Sequence, residues 1–249
     1  MAAKIAVIGG TGLYSMMDGF EMDAQEVINT PYGEGSGPLV MGRLHGREVV
    51  FLARHGFTHR LPPHRVNYRA NIWMLKQVGV DRIISVNAVG SLNENCPPEA
   101  MVLPDQIIDY SWGREHTFFA DDLDNVVHID FTWPYSQSLR QTLIAAAQIA
   151  QLKLAPQGVY ACTQGPRLET AAEIRRLRND GCDIVGMTAM PEAALARELE
   201  MDYASVAIVA NWAAGLTDEE LTMQEIEACL KNGMQSVKTL LAQAIALCN

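Results

Sequence analysis

The sequence predicts an α/β fold, one domain over residues 1–249 with a largely parallel, mixed β-sheet flanked by helices. Three observations carry this expectation. Short runs rich in Val and Ile alternate along the chain with segments whose apolar residues recur every three to four positions. The first such run, KIAVIG at 4–9, passes at once into a turn rich in glycine and hydroxyl groups, GGTGLYS at 9–15. No internal repeat, low-complexity stretch or Ser- or Pro-rich linker divides the 249 residues.

Strands are expected near 4–9, 48–53, 82–87, 105–109, 158–163, 183–187 and 203–210, each a short apolar run. Helical spacing fits 67–79 (NYRANIWMLKQVG), 136–151 (SQSLRQTLIAAAQIAQ), 169–181 (ETAAEIRRLRNDG), 191–200 (PEAALARELE) and 222–247. Strand-helix alternation implies crossover connections, hence parallel strands with helices on both faces. The stretch holding Asp18, Gly19, Asp23 and Pro31 reads as irregular. Residues 111–135, SWGREHTFFADDLDNVVHIDFTWPY, break the rhythm. Long excursions of this kind serve as lids or subunit contacts, or lie as solvated loops, and the aromatic content argues against free exposure.

With a net charge of -10, the chain lacks the basic face that nonspecific nucleic-acid binding requires. An anionic ligand would need a donor site built from specific loops, because the overall field repels it. The five cysteines (Cys96, Cys162, Cys182, Cys229, Cys248) are scattered and form no CxxC pair, which points to reduced thiols, a cytoplasmic protein and no zinc site. KIAVIGG is too short for a signal-peptide core, and no apolar run reaches membrane-spanning length.

Ligands of open α/β sheets sit beyond the carboxyl ends of the strands. Six ends are informative here: GGTGLYS (9–15), ARHGFTHRLPPH (53–64), NAVGSL (87–92), TQGPRLET (163–170), GMTAMPEAA (186–194) and ANWAAG (210–215). They supply Thr11, Arg54, His55, Asn87, Thr188 and Asn211 among many glycines. Glycines allow close approach of backbone N–H groups, hydroxyls donate, and arginine offers a planar fork, so the set suits a small oxyanion such as phosphate. His55 reads as a further anion donor. The opening turn lacks the third glycine of a dinucleotide fingerprint, where Ser15 stands, and the chain has no Walker GK[ST] or G-x-S-x-G elbow. His55, His59 and His64 are interrupted by Pro62 and Pro63, so they do not share a helix face as a zinc pair would. A dinucleotide-dependent oxidoreductase and a noncatalytic binding module are the alternatives from other classes.

The ordered motifs GGTGLY, RHGxxHxxPPHxVNYRAN (54–71), NAVGSL, TQGPRLET and GMTAMPEAALARE (186–198) resemble the trimeric nucleoside phosphorylase family, and within it the methylthioadenosine phosphorylase branch. The resemblance covers nearly the whole chain. It implies phosphorolysis of a purine nucleoside, with inorganic phosphate as co-substrate and no metal or redox cofactor. It places Thr11, Arg54, His55, the backbone of Ala88 and Thr188 around phosphate, Met187 beside the ribose hydroxyls and Leu168 against the base. It further implies a homotrimer in which His128 enters the neighbouring subunit's 5′ pocket.

The same resemblance makes ANWAAG the reader of the base, with His55 and Asn211 as the catalytic pair. Adenine-cleaving relatives carry Asp at the positions of Asn211 and Ala213. An Asp carboxylate accepts from a 6-amino group, whereas the Asn amide can donate to a 6-carbonyl while accepting from protonated N7. Glu169 has two readings, acceptor from the ring N–H of a 6-oxopurine or stabiliser of a helix start. Met223 aligns with an apolar position of the 5′ pocket, where a thioether suits a methylthio group, and a place in the helix core is its alternative. Together these imply S-methyl-5′-thioinosine as the favoured substrate, with methylthioadenosine or ordinary inosine and guanosine as alternatives.

Overall fold

The computed structural model describes residues 4–10, 13, 17–121, 123–217 and 222–248. Eleven strands among these join one mixed sheet: β1 (Lys4–Gly9), β2 (Phe20–Glu26), β3 (Leu39–Leu44), β4 (Arg47–Ala53), β5 (Val80–Ser91), β6 (Met101–Val102), β7 (Gln106–Asp109), β8 (Leu154–Ala155), β9 (Val159–Cys162), β10 (Ile184–Gly186) and β11 (Asp202–Trp212). The helices are α1 (Tyr68–Gln77), α2 (Gln137–Ile149), α3 (Ala171–Asn179), α4 (Glu192–Glu198) and α5 (Met223–Leu247).

Period-2 alternation decides which face each strand residue joins. In β1, Ile5 and Val7 enter a core with Leu139 and Leu143 of α2 and Val237, Leu240, Leu241 and Ile245 of α5. Ala6 and Ile8 enter the opposite core, with Ile72 and Leu75 of α1 and Leu195 of α4. The strand is buried on both faces, which explains its unbroken apolar run.

The sheet runs β2-β3-β4-β1-β5-β10-β9-β7, with β11 along the other edge of β5 and β6 and β8 beyond it. Strand β1 pairs in parallel with β4 and with β5, and β11 pairs in parallel with β5 from Asp202↔Arg82 to Trp212↔Ser91. On the β1 side, pairing ends at Ile8↔Ser85, and antiparallel β10 resumes it only at Val185↔Gly90. Residues 86–89 of this edge therefore have no strand partner among the described residues. An opening lies in the middle of the sheet, beside the carboxyl end of β1, as the position rule for open α/β sheets requires.

Seven of the expected strands and all five expected helices are present, with ends moved by a few residues. Four strands lie where the sequence reads as irregular or unassigned: the antiparallel β2 and β3 and the two-residue β6 and β8. The residues of β2, FEMDAQE, are mostly exposed at the sheet edge, so no apolar alternation marks them. Helix α3 opens at Ala171 rather than 169, because Thr170 caps it and Glu173 completes a reciprocal capping box. The described residues of 111–135 form no strand or helix.

Candidate active site

Arg54, just past the end of β4, is built into the opening. Its backbone N–H donates to Gly9 O at the end of β1 (3.0 Å), and its Nη1 donates to Val86 O in the unpaired stretch of β5 (3.1 Å). The guanidinium is 2% exposed and faces a fully buried carboxylate, Glu192, through Nε to Oε2 (2.8 Å) and Nη2 to Oε1 (2.9 Å). Nη2 also donates to Ser85 Oγ (2.6 Å). Of the five N–H groups of an arginine, four are thus committed. Burial alone would lower the Arg54 pKa, but the charge and hydrogen bonds of Glu192 outweigh it and hold the pKa raised.

The network continues to Thr188. Ser205 Oγ donates to Asn87 Oδ1 (2.7 Å), and Asn87 Nδ2 donates to Thr188 Oγ1 (2.7 Å). An amide nitrogen can only donate, so the Thr188 hydroxyl receives this bond and keeps its own proton for another acceptor. Ser85 Oγ lies 2.9 Å from Asn87 Oδ1 and 3.0 Å from Glu192 Oε1, its single proton serving one or the other. Ala88, between the buried Asn87 and Val89, is exposed, as befits backbone lining an open crevice.

His55 stands next in the chain. Its Nδ1 lies 2.7 Å from Leu61 O, and because a carbonyl only accepts, the proton is on Nδ1. Burial, followed by the Arg54 charge, lowers its pKa to about 4. At neutral pH Nε2 is therefore a lone-pair acceptor. His55 thus presents an acceptor at Nε2, and the fork of Arg54, expected to face an anion, is occupied by Glu192, leaving one N–H.

The remaining loops are tied to this centre. Thr163 N donates to Gly186 O (2.8 Å), joining the 163–170 loop to the 186–188 turn. Met187 packs on Gly165, where φ is +62° and a Cβ would come within 2.4 Å of Sδ, so only glycine fits. Arg114, from the irregular segment, is buried and donates to the carbonyls of Met187 (2.8 Å) and Gln164 (2.9 Å). Across the crevice, Asn211 and Ala213 flank Gly90. Asn211 Nδ2 donates to Trp212 O (2.7 Å), which fixes the amide and leaves Oδ1 and one N–H. Glu169 Oε1 accepts from Thr163 Oγ1 (2.7 Å). Thr170 and Glu173 already cap α3, so the helix-start role for Glu169 has no vacancy to fill.

Three expected residues stand exposed in the single chain. Leu168 is 44% exposed, Met223 is 63% exposed at the start of α5, and His128 is exposed within the 123–133 stretch. The core position considered for Met223 does not hold. Thr11 lies outside the described residues. Sequence reasoning missed Glu192, Arg114, Ser85 and Tyr203. The signal available was a lone carboxylate or hydroxyl inside an apolar run, MTAMPEAALA or RIISVNAV. No group of His, Cys, Asp and Glu among the described residues is arranged to hold a metal ion.

The gap beside β5, with buried Arg54 and Thr188 and the exposed Ala88 around it, is suited to an anion at the switch point of an α/β sheet, as a phosphorylase requires. The sequence matches the phosphorylase superfamily over residues 4–246, and the chain belongs to that family. It is 56% identical over 241 residues to a probable S-methyl-5′-thioinosine phosphorylase of Pseudomonas syringae pv. tomato, spanning 97% of this chain and 98% of the relative. It is 47% identical to a 6-oxopurine nucleoside phosphorylase of Pyrococcus furiosus, over 98% of this chain and 92% of that one. Methylthioadenosine phosphorylase from Schistosoma mansoni, solved with adenine, superposes with a TM-score of 0.92 at 33% identity, covering 98% of this chain and 91% of that chain.

The His55 geometry has a consequence in acid. Its folded pKa of about 4 lies below the ordinary 6.5, so between these values the unfolded chain binds the extra proton and stability rises with pH. Acidification from pH 7 to 4.5 should cost wild type about 2–3 kcal/mol more than His55→Gln, whose amide still donates to Leu61 O. Urea unfolding at both pH values measures this, and parallel losses in the two proteins would contradict it.

Proposed function

We propose that this chain catalyses phosphorolysis of S-methyl-5′-thioinosine to hypoxanthine and 5-methylthioribose 1-phosphate. The observation that carries the reading is Asn211, an amide pinned by Trp212 O so that one N–H and one oxygen remain to face a base. A 6-oxopurine protonated at N7 offers the complementary acceptor and donor. A 6-aminopurine would set its amino group against the Asn N–H, a mismatch worth orders of magnitude in discrimination. Ala213 in place of a second carboxylate removes the other acceptor that an amino group would use.

In the reaction, a phosphate oxygen attacks the anomeric carbon as its bond to N9 breaks. The bonding pair leaves with the purine, which takes up a proton and departs as neutral hypoxanthine. Positive charge gathers on the sugar in the transition state, so the site works by placing phosphate against that carbon and stabilising the departing base. Thr188 Oγ1, the backbone at Ala88, the remaining Arg54 N–H and Thr11 supply phosphate donors, and neutral His55 takes a proton-bearing oxygen. Met187 and Leu168 line the sugar and base, and Glu169 accepts from the ring N–H. No cofactor takes part.

The 5′ end rests on Met223 and on assembly. Met223, Val126, Val127 and Trp133 are large apolar side chains left exposed in one chain. In our reading a cytoplasmic homotrimer covers the 123–133 stretch and brings His128 to the neighbour's sugar. Sedimentation of the intact chain should give three times 27.4 kDa. A monomer would remove the role assigned to His128.

The direct test is base release from methylthioinosine, methylthioadenosine, inosine and adenosine, each with and without phosphate. Hypoxanthine should appear fastest from methylthioinosine and only with phosphate. In the same panel Asn211→Asp should shift the 6-amino to 6-oxo ratio by about 10-fold or more towards adenine. An unchanged ratio would mean that another residue reads the base.

A further inference from the structure

Glu192 is the most heavily hydrogen-bonded carboxylate of the site, yet it lies wholly inside the protein and is closed off from any ligand. It is 0% exposed and receives Arg54 Nε and Nη2, Tyr203 Oη (2.9 Å) and the nearby Ser85 hydroxyl. It sits four residues after Thr188, at the first turn of α4, and its neighbours Ala193 and Leu195 anchor that helix in the core with Ile72 and Leu75. The backbone segment that carries the Thr188 hydroxyl therefore also carries the acceptor that aims Arg54. Tyr203, held from β11 and stacked on Tyr135 with ring centroids 6.0 Å apart, locks the carboxylate from behind.

We infer that Glu192 is the positioning residue of the phosphate site, setting the separation of the free Arg54 N–H from Thr188; this rests on the phosphorolysis reading above. The reason is geometric. A guanidinium on a flexible stem has no fixed direction unless its fork is occupied, and a bidentate carboxylate fixes both position and plane. Here the carboxylate also cancels the buried charge. With His55 neutral, phosphate is met by directed neutral donors and one N–H of an already paired cation, rather than by an unpaired positive charge. Placement against the anomeric carbon then depends on where those donors stand, and a shift of about 1 Å can cost on the order of 100-fold in rate.

The test varies phosphate at saturating nucleoside, and nucleoside at saturating phosphate, with Glu192→Asp and Glu192→Gln. Asp keeps the charge but falls one methylene short of the fork, so it separates position from charge. It should raise KM for phosphate about 10-fold, with KM for nucleoside held within about 3-fold. Gln keeps the length but turns an N–H towards Arg54, and kcat/KM for phosphate should fall about 100-fold. Equal losses towards both substrates, or kcat/KM for phosphate within about 2-fold of wild type, would overturn the inference. If either variant fails to fold, Tyr203→Phe removes a single donor from Glu192 and keeps the ring. It should raise KM for phosphate about 3-fold and leave KM for nucleoside unchanged, and no change in either constant would overturn the inference. Calorimetric titration with inorganic phosphate alone reads the same positioning without turnover. A wild type that binds phosphate but cleaves no nucleoside would thus sink the phosphorolysis reading, while unaltered phosphate binding in Glu192→Asp would sink this one.

Discussion

The buried ion pair between Arg54 and Glu192 is the interaction on which the site depends. Taking two charges out of water is costly unless geometry and further hydrogen bonds compensate, and a broken pair of this kind leaves an unmatched buried charge. Here the compensation is thorough, since the guanidinium also reaches Val86 O and Ser85 and the carboxylate also accepts from Tyr203. The pair spans the opening that β1 leaves beside β5, so a feature of sheet topology is filled by side chains rather than by a strand. What remains of the opening, around Ala88, is a β5 edge that no strand among the described residues pairs on the β1 side.

From that pair the rest of the site follows in two directions. Through Ser85 and Asn87 the polar chain ends on the Thr188 hydroxyl, which accepts from Asn87 and lies beside the buried Tyr160 hydroxyl. Through the chain itself, Arg54 leads to His55, whose neutrality follows from burial and from that same arginine. Arg114 plays the matching part beside Met187. It gathers the carbonyls of the 163–164 and 187–190 turns onto one guanidinium, including Met190 O, and so ties the irregular 111–135 segment to the loops that hold Met187 and Glu169. Both arginines act as internal fasteners.

Much of this architecture was legible in the sequence. The apolar runs marked the buried central strands, and helical spacing marked every helix, because burial imposes a period on both. Strand β2 was not legible, since an exposed edge imposes no apolar pattern on FEMDAQE. The strand ends also announced the donors, but residue type cannot say which groups are already spent. Arg54 looked like an open fork until its partner, 138 residues away in the chain, was in place. His55 looked like a donor until the Leu61 carbonyl fixed its tautomer. Glu192 was not singled out, because nothing local in PEAALARE reveals that a strand end will deliver a guanidinium to it.

The central claim is that phosphate binds in the gap of β5 with the Arg54–Glu192 pair intact. A crystal structure of the protein with inorganic phosphate tests it most directly. The account predicts phosphate oxygens within hydrogen-bonding distance of Thr188 Oγ1, the Ala88 backbone and a single Nη1 proton of Arg54, with both Glu192 contacts kept. Phosphate gripped by both arms of an Arg54 that has released Glu192, or bound away from residues 86–89, would contradict it.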